Sequence, residues 1–369
     1  MLESGGWGGI HHYAHALANA LADLGVELLL LSNQRYELED RPCRFRLLRL
    51  LRREPYLRTL ARLYRLLRGE RPAVVHVQSF ISQRKDLAVL LLCRWLGAKL
   101  VITVHNLLPH EVRPLERHLY ALYYRLADAL IVHSEQARRA LLEGVPALAA
   151  REVHAVPHGN YAQFADLMLD RPAARQSLGL PPDRRVVLFV GAIRPYKGLD
   201  LFLRLARPVR RVCPEALFVA AGTVLRGSRT EYEEQVAALG LGPEDLVARF
   251  EYLSIAQTVA YVCSADVVVL PYRAISQSGI LLLALSCGRP VLATRVGSFP
   301  ETVEEGAGWL VEPEDLGAME ETLVRLLGEP ALLEAAGERA RKLAVERYGW
   351  DGIARRTAQV YAGVLGGGG

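Results

Sequence analysis

The stretch that decides the fold is Val186-Val187-Leu188-Phe189-Val190-Gly191-Ala192-Ile193-Arg194-Pro195-Tyr196-Lys197-Gly198-Leu199. An apolar, β-branched run stops at a glycine, a loop carrying an arginine and a lysine follows, and a helical pattern begins at Leu199. This order predicts a strand, a cationic loop and a helix, with Arg194 and Lys197 at the carboxyl end of a parallel strand. Open α/β sheets bind ligands at that edge, and a diphosphate suits such a loop. An ordinary turn with two solvated cations explains the loop equally well.

The length and composition of the chain predict a two-domain protein of the reducing cytoplasm. Its 369 residues exceed what one hydrophobic core usually supports. Its five cysteines are scattered without a C-x-x-C pair, which argues against a disulfide framework and against a zinc site. No apolar run approaches the length of a membrane span, and residues 1–9 lack the basic start and apolar stretch of a secretory signal.

Short buried strands alternate with helices along the whole chain, which predicts an α/β protein with parallel, doubly wound sheets. We expect an N-terminal domain over residues 1–170 and a C-terminal domain over residues 171–347, with the polar, proline-containing segment 161–184 as the linker. The expected strands cover residues 26–31, 74–77, 100–104, 129–133, 153–156, 186–190, 217–221, 247–250, 267–270, 291–293 and 308–311.

The amino end of the chain lacks an expected element. Gly5-Gly6-Trp7-Gly8-Gly9 has the composition of a loop that follows a first strand, but no strand-like residues precede it. In a doubly wound sheet that first strand is normally central. Either the assigned start lies too late, or the domain lacks a central strand and is less stable.

Several N-terminal residues stand where a ligand would bind. Gly8 and Gly9 open the first helix, where a backbone can approach an anion closely, although a glycine pair also suits a plain turn. His105 directly follows a strand, where it can hydrogen-bond a sugar or phosphate, take a proton, or simply cap the strand. We expect three further polar residues at the same edge of the sheet: Asn106, His133 and His158.

The C-terminal half has a second set of candidates after two of its strands. Gly222 closes one strand, where it permits close backbone approach or forms an ordinary turn. The segment Ser276-Gln277-Ser278-Gly279-Ile280 precedes a short apolar helix, and its free N–H groups would suit a phosphate, although capping alone also explains the serines. Asp-x-Asp does not occur, so we expect no bound metal, and the cations of the first loop would neutralise a diphosphate.

Residues 41–71 form a strongly basic segment with eleven arginines and two glutamates. Leu57, Leu60, Tyr64 and Leu67 recur at helical spacing, and arginines fall on another face, which predicts a basic amphipathic helix. We favour docking on anionic lipid over an ordinary packed helix with a charged outer face. Nucleic acid is not expected as a partner, because the segment has few aromatic residues for stacking.

Together these positions resemble the retaining glycosyltransferases of family four, which have the GT-B fold. The similarity covers nearly the whole chain. It rests on six segments: Gly8-Gly9-Ile10, Val104-His105-Asn106, Pro157-His158-Gly159, residues 191–198, Cys287-Gly288-Arg289-Pro290-Val291-Leu292-Ala293-Thr294 and Val296-Gly297-Ser298-Phe299-Pro300-Glu301. The resemblance implies two Rossmann-like domains that face each other across a cleft, with a closing helix over residues 348–366 that returns to the N-terminal domain.

The resemblance also implies a reaction. A nucleotide-sugar on the C-terminal domain would donate its sugar, with retention of configuration and without a metal or other cofactor, to a saccharide or lipid-linked acceptor. Arg194 and Lys197 would stabilise charge on the leaving phosphate, His105 would contact the sugar or acceptor, and Gly9 would place an N–H near the diphosphate. The implied setting is polysaccharide or glycolipid biosynthesis in the cytoplasm, peripheral to the inner membrane face.

Two departures from the family pattern leave other functions open. The family carries two glutamates ahead of its G-x-P segment, and neither alignment of this chain, on Ile275 and Leu283 or on Ser276 and Ala284, supplies a carboxylate. The family arginine usually follows the loop glycine directly, where this chain has Ala192. The alternatives are a non-catalytic member that binds nucleotide-sugar or glycan, and a UDP-sugar epimerase of the same fold.

Overall fold

The computed structural model describes residues 1–51, 56–79, 86–105 and 114–366, which form two compact α/β units. One unit comprises Met1–Gly159 together with the chain from Tyr348 onward, and the other comprises Asn160–Arg347. The change of unit at Asn160 lies eleven residues before the boundary expected from the sequence. Both units are built on parallel strands flanked by helices, so the fold class predicted from the alternating pattern is confirmed.

The first unit contains six strands and six helices among its described residues. The strands are β1 (Leu29–Asn33), β2 (Arg46–Leu51), β3 (Val74–Val77), β4 (Lys99–Thr103), β5 (Ala129–Val132) and β6 (Glu152–Ala155). The helices are α1 (Gly8–Asp23), α2 (Tyr56–Glu70), α3 (Asp86–Trp95), α4 (Pro114–Leu126), α5 (Glu135–Gly144) and, at the end of the chain, α14 (Trp350–Gly366). Strands β3 to β6 pair in chain order, and β1 pairs with β2; every pair is parallel.

Successive residues of the central strands enter two different hydrophobic cores. Leu100 and Ile102 of β4 join the core under α3 and α5, whereas Val101 joins the core beneath α1 and α14. This alternation follows from the two-residue period of a strand, and it requires apolar residues at every position when both faces are covered. The continuous apolar runs of the sequence therefore predicted a doubly wound sheet correctly.

As the sequence suggested, no strand precedes the glycine-rich loop in the described chain, but Leu2 stands where a first strand would lie. Leu2 forms parallel bridges to both Leu31 of β1 and Val77 of β3. Its N–H donates to the carbonyl of His76 at 2.8 Å, and its carbonyl accepts from Gln78 at 2.8 Å. Residues 1–3 thus occupy the central position of the sheet. This stub is too short to produce a strand pattern in the sequence.

The basic segment 41–71 differs from the sequence-based expectation in two respects. Its first part contains strand β2, which the sequence analysis did not anticipate. In α2, Leu63 is buried, and Leu60 and Leu67 pack against the domain core, so most of the apolar face is already covered. Leu57, at the start of α2, remains 78% exposed.

The second unit has one six-stranded parallel sheet in the order β12-β11-β10-β7-β8-β9. Its strands are β7 (Arg185–Val190), β8 (Ala216–Ala221), β9 (Leu246–Arg249), β10 (Val267–Leu270), β11 (Val291–Thr294) and β12 (Gly308–Val311). Its helices are α6 (Arg171–Leu178), α7 (Leu199–Val212), α8 (Arg229–Ala238), α9 (Ile255–Ser264), α10 (Gly279–Ser286), α11 (Phe299–Val303), α12 (Leu316–Gly328) and α13 (Pro330–Glu346).

The segment 161–184, expected to be a linker, is instead a folded part of the second unit. Asp170 caps α6 by accepting from the N–H of Ala173, and Gly179 ends the helix in the left-handed region with φ 64°. Arg175 of α6 donates to the buried carboxylate of Asp266 at 2.6 Å, and the same carboxylate accepts the N–H of Val186 in β7 at 2.6 Å. The polar residues of this segment serve caps and an internal ion pair, which is why their composition suggested a loop.

We predict that Asp266→Ala lowers the free energy of unfolding of the second unit by about 3–5 kcal/mol, because it leaves the buried guanidinium of Arg175 without its charge partner. Urea denaturation measures the change. As a control, Glu233→Gln removes the exposed pair with Arg229 and should cost less than about 1 kcal/mol. Similar losses in the two variants would contradict a structural role for the buried pair.

Candidate functional site

The cationic loop of the second unit begins where β7 ends. Gly191 follows the strand with φ 112°, residues Pro195–Lys197 form a single 3-10 turn, and Gly198 has φ 69° before α7 starts at Leu199. A side chain at Gly198 would overlap the carbonyl of Pro271, which lies just beyond β10. The expected strand, loop and helix are confirmed, and the glycine allows the loop to pack closely against the neighbouring strand end.

The side chain of Lys197 turns back towards the amino end of α10. Its Nζ lies 5.3 Å from the ring centroid of the buried Tyr272, and a Cβ placed on Gly191 would be 3.8 Å from Nζ and 3.1 Å from Cγ1 of Ile280. Ser278 caps α10, its side chain accepting from the N–H of Leu281. The lysine and the positive end of the α10 dipole therefore converge beyond the carboxyl ends of β7 and β10.

Arg273 holds the cationic loop in place. Its guanidinium donates to both carboxylate oxygens of Asp200 at 2.8 and 2.7 Å and to the carbonyl of Pro195 at 3.0 Å. Its backbone N–H donates to the carbonyl of Tyr196 at 2.7 Å. The pKa of Arg273 is raised, chiefly by its hydrogen bonds to Asp200. This bidentate pair ties the loop to α7 and to the residues after β10.

Arg194 and Lys197 differ from Arg273 because no carboxylate within the described ranges pairs with either of them. Burial lowers the pKa of Lys197, the nearby charge of Arg194 lowers it further, and Tyr196 acts in the opposite direction. A bound anion would relieve both effects, since opposite charge favours the protonated ammonium. An anion at this position would therefore be compatible with the charge of the pair.

The other residues expected at the donor site, in the segment 276–280 and at Gly222, make structural contacts near this loop. The hydroxyl of Ser298 donates to Gln277 Oε1 at 2.6 Å, and Ser276 and Gly279 are half-buried beside the α10 terminus. A side chain at Gly222 would overlap the carbonyl of Gly191, so close strand contact accounts for this glycine without a ligand. At the positions of the family glutamates, the structure has half-buried Ile275 and Ser276 and buried Leu283 and Ala284.

In the first unit, the structure brings together the three histidines that follow the strand ends. Nδ1 of His105 lies 3.0 Å from Nε2 of His133, and Nδ1 of His133 donates to the carbonyl of Val156 at 3.1 Å. The ring of Tyr13 lies 5.0, 5.1 and 4.9 Å, between centroids, from His105, His133 and His158. The expected shared edge of the sheet is therefore observed, with Tyr13 of α1 at its centre.

The electrostatic surroundings keep these histidines neutral. Burial lowers the pKa of His133 to about 3 and that of His158 to about 4. The pKa of His105 is also lowered, by burial first and then by the neighbouring histidines. A neutral imidazole offers one donor and one acceptor, so this cluster suits hydrogen bonding to hydroxyl groups better than electrostatic binding of an anion.

The glycine-rich loop is organised by two carboxylates that the sequence analysis missed. The buried Glu3 accepts the N–H of Gly6 and the hydroxyl of Ser32, and it lies 2.9 Å from Nδ1 of His11. Glu37 accepts the N–H of Gly8 at 2.8 Å, so that donor is already used, whereas Gly9 is exposed at the start of α1. Asn106 lies outside the described residues.

One missed residue follows from a rule that the sequence analysis applied elsewhere. Gln78 comes directly after β3, just as His133 comes directly after β5, and Oε1 of Gln78 lies 2.9 Å from Nε2 of His105. The strand-end position was a signal that could have identified Gln78. The roles of Glu3 and Arg273 depend on folding partners distant in the chain and had no comparable signal.

Comparison with known proteins identifies the class to which this arrangement belongs. Residues 7–160 match the family described as Glycosyltransferase Family 4, and residues 184–329 match the family described as Glycosyl transferases group 1. The chain therefore belongs to the family-four-like glycosyltransferases, and its two Rossmann-like domains have the GT-B fold.

Particular relatives show how far the similarity extends. A D-inositol 3-phosphate glycosyltransferase 2 of Catenulispora acidiphila is 36% identical over 52% of this chain and 46% of its own length. An α-D-kanosaminyltransferase of Streptomyces kanamyceticus is 28% identical over 80% of this chain and 78% of its own length. The chain spans about half the length of the inositol-phosphate enzymes that it matches.

Solved structures support the fold. Sucrose-phosphate synthase from Thermosynechococcus elongatus superposes with a TM-score of 0.76 at 22% identity, covering 99% of this chain and 96% of that one. The Anabaena protein HepE, in complex with UDP-glucose, superposes with a TM-score of 0.78 at 17% identity, covering 98% of both chains. Across the described ranges, no helix is long and apolar enough to cross a membrane.

We predict that the carboxylate of Glu3 stabilises the first unit in a pH-dependent manner. Burial raises its pKa, but hydrogen bonds from His11, Gly6 and Ser32 and the charge of His11 outweigh burial and lower the pKa below its usual 4.5. A lowered folded-state pKa gives stability that is present above pH 4.5 and lost as the pH falls through the folded value.

Glu3→Gln should therefore lower the free energy of unfolding by about 1.5–3 kcal/mol at pH 7, and by much less at pH 3. Denaturant titrations at the two pH values measure the difference. Glu39→Gln, which removes an exposed pair with Arg49, is the control and should change stability little at either pH. A loss for Glu3→Gln that is equal at both pH values would exclude the charged form as its source.

Proposed function

We propose that the protein transfers a glycosyl group from a nucleotide-sugar to a hydroxyl group of a saccharide or lipid-linked acceptor, with retention of configuration and without a metal. The observation that carries this proposal is the pair Arg194 and Lys197, for which the described part of the chain supplies no carboxylate partner. Lys197 lies beside the amino end of α10. Membership of the glycosyltransferase family supplies the reaction class.

The reaction places specific demands on these residues. The bond between the anomeric carbon and the diphosphate oxygen breaks, its electron pair stays with the nucleoside diphosphate, and the acceptor oxygen bonds to the anomeric carbon on the same face. The acceptor hydroxyl proton leaves to the departing diphosphate. Arg194, Lys197 and the N–H groups at Gly279 and Ile280 stabilise the negative charge that grows on that leaving group.

The histidine cluster of the first unit supplies the opposite chemistry. Nε2 of neutral His105 exchanges its contact with Gln78 for a hydrogen bond to a sugar or acceptor hydroxyl when substrate binds. His133, His158 and Asn106 lie in the sequence where they can extend that polar surface. Gly9, at the start of α1, has a backbone N–H that suits a phosphate oxygen. Ser276, Gln277 and Ser278 replace the missing glutamates as hydrogen-bonding groups for the donor, and Gly222 lines the same strand edge.

The donor nucleotide is proposed to be uridine diphosphate. HepE, whose fold this chain shares, is in complex with UDP-glucose, which makes a UDP-sugar the first donor to test. We propose a cytoplasmic location, because the five cysteines are free, as is usual in a reducing compartment.

We predict that Lys197→Ala weakens binding of UDP about 10- to 100-fold, because it removes one charge-assisted hydrogen bond worth about 1.5–3 kcal/mol. Turnover of a UDP-sugar should fall further, by about 100- to 1000-fold, because charge on the phosphate grows in the transition state. Isothermal calorimetry and release of UDP measure the two effects, each with and without Mg²⁺.

The matched control is Lys342→Ala, which removes an exposed lysine of α13 paired with Glu346. It should leave UDP binding, turnover and thermal stability unchanged. Binding of UDP without turnover of any UDP-sugar would favour the non-catalytic alternative, and interconversion of epimers without release of UDP would favour the epimerase. Equal losses of stability and activity in Lys197→Ala would make this residue structural.

We also propose that the first unit docks on an anionic membrane through the outer face of α2. Leu57 is 78% exposed there, and Trp95 of α3 is 73% exposed and stacks on Tyr64. Arg58 and Arg65 are exposed on the same helix. Exposed aromatic and apolar side chains beside arginines are typical of surfaces that lie at the interface of a bilayer.

We predict that the double change Arg58→Gln and Arg65→Gln weakens binding to phosphatidylserine-containing vesicles about 30-fold at low salt, since each arginine contributes about 1 kcal/mol. Sedimentation with vesicles measures the partition. The control changes Arg229 and Arg355, two exposed arginines on other helices, to glutamine and should have no effect. Equal binding to neutral and anionic vesicles would contradict the electrostatic contribution.

A further inference from the structure

The ring contacts of His105 and His133 need more protons than two neutral histidines carry. Nδ1 of His133 lies 3.1 Å from the carbonyl of Val156, and its Nε2 lies 3.0 Å from Nδ1 of His105. Nε2 of His105 lies 2.9 Å from Oε1 of Gln78. Each of the three contacts needs one N–H, whereas two neutral imidazoles hold two between them. Either the pair holds a third proton, and with it a positive charge, or the amide of Gln78 presents its nitrogen instead of its oxygen.

The surroundings of this histidine pair do not support a positive charge. The titratable groups that face the two rings are Tyr13 on α1, His76 on β3 and His158 beyond β6, and none of these is an anion at neutral pH. In the part of the chain that the structure describes, no carboxylate contacts either ring. Burial lowers the pKa of both His105 and His133, so the pair is neutral and holds two protons.

The carbonyl of Val156 determines which ring nitrogens carry the two protons. A carbonyl oxygen only accepts, so Nδ1 of His133 is protonated and donates to it. Nε2 of the same neutral ring is then unprotonated and accepts, which requires the proton of His105 to lie on Nδ1. Nε2 of His105 is therefore unprotonated as well, and its neighbour is the side-chain amide of Gln78.

The amide of Gln78 completes the assignment, because its oxygen and nitrogen exchange places by rotation about one bond. With the nitrogen turned towards His105, it donates to the unprotonated Nε2. The other amide position lies 3.1 Å from Nε2 of His76, and that nitrogen also lies 2.7 Å from the hydroxyl of Thr103. Nδ1 of His76 lies 2.6 Å from the hydroxyl of Tyr361, which can donate to it. A proton on Nε2 of His76 then gives every contact in this chain one donor and one acceptor.

We propose that His133 is a positioning residue: with the carbonyl of Val156, it holds the proton of His105 on Nδ1, so that His105 meets the substrate through an unprotonated Nε2. The substrate group that replaces Gln78 at this nitrogen is then a hydroxyl that donates its hydrogen, and an ether or carbonyl oxygen cannot take its place. The proton positions rest on contacts within the first unit, whereas their part in glycosyl transfer rests on the proposed function.

The first measurement uses the wild-type protein without substrate. Nuclear magnetic resonance of protein with isotopically labelled histidine nitrogens shows which nitrogen of each ring carries a proton, because protonated and unprotonated ring nitrogens resonate far apart. The ring signals are assigned through the backbone resonances. At neutral pH we expect a protonated Nδ1 and an unprotonated Nε2 in both His105 and His133. A proton on Nε2 of His105, in a neutral or a charged ring, would overturn the proposal.

The second measurement compares two amide substitutions that differ by one methylene group. In His133→Gln, the amide reaches the place of Nε2, so its oxygen still accepts from Nδ1 of His105, but the bond to Val156 is lost. In His133→Asn, the amide reaches only the place of Nδ1, so it keeps the bond to Val156 and loses the acceptor for His105. For a UDP-sugar, we expect kcat/KM to stay within about threefold in His133→Gln and to fall about 10- to 100-fold in His133→Asn.

A purely structural role of His133 predicts the opposite order, because its bond to Val156 joins the chain beyond β5 to the chain beyond β6. Activity of His133→Asn equal to or above that of His133→Gln would therefore overturn the proposal. Gln257→Asn, which shortens an exposed amide on α9 by the same methylene group, is the control and should leave kcat/KM unchanged.

The two measurements separate this proposal from the proposed function. A wild-type protein that turns over no UDP-sugar contradicts the proposed function, and the ring nitrogens of His105 and His133 then decide the proton positions by themselves. The same measurement decides them if neither substitution of His133 gives a folded protein, as judged by its melting temperature.

Discussion

The central constraint in this structure is that parallel strands end at the same edge of their sheet. In the first unit that edge carries Gln78 and His133, each one residue beyond its strand, and His105, two residues beyond its strand. In the second unit it carries Gly191 and the residues after β10. Residues separated by 20 to 90 positions in the chain are therefore neighbours in space without any local sequence signal, because the sheet alone brings them together.

The strand-end edges of the two units differ in the charge of the side chains that they carry. In the second unit, Arg273 is neutralised by Asp200 and serves to hold the loop, which leaves Arg194 and Lys197 available for an anion. In the first unit, burial keeps the histidines uncharged, and their ring nitrogens contact one another, Gln78 and a backbone carbonyl. The edge of the second unit therefore suits an anionic group, whereas the edge of the first unit suits neutral hydroxyl groups.

The sequence predicted the cationic loop, the helix at Leu199 and the clustering of three histidines because each follows from a short pattern next to a buried strand. It failed where the pattern was too short or ambiguous. Leu2 belongs to a strand stub of only three residues. The arginines of β2 obscure its strand pattern, and the capping residues of α6 and its ion pair with Asp266 give that segment the composition of a loop. Of the apolar face expected for α2, Leu60 and Leu67 pack against the core but Leu57 is exposed, because periodicity does not show whether a residue meets lipid, solvent or the protein core.

The sequence by itself therefore determined the α/β class, the two-domain organisation and the positions of the candidate residues at strand ends, since apolar periodicity and glycine spacing depend only on near neighbours. Tertiary structure alone decided which charges are paired, as with Arg273 and Glu3, and that an apolar cavity lies beside β1 and β3. The physical reason is that burial, ion pairing and cavities depend on contacts between residues far apart in the chain, and no local pattern records those contacts.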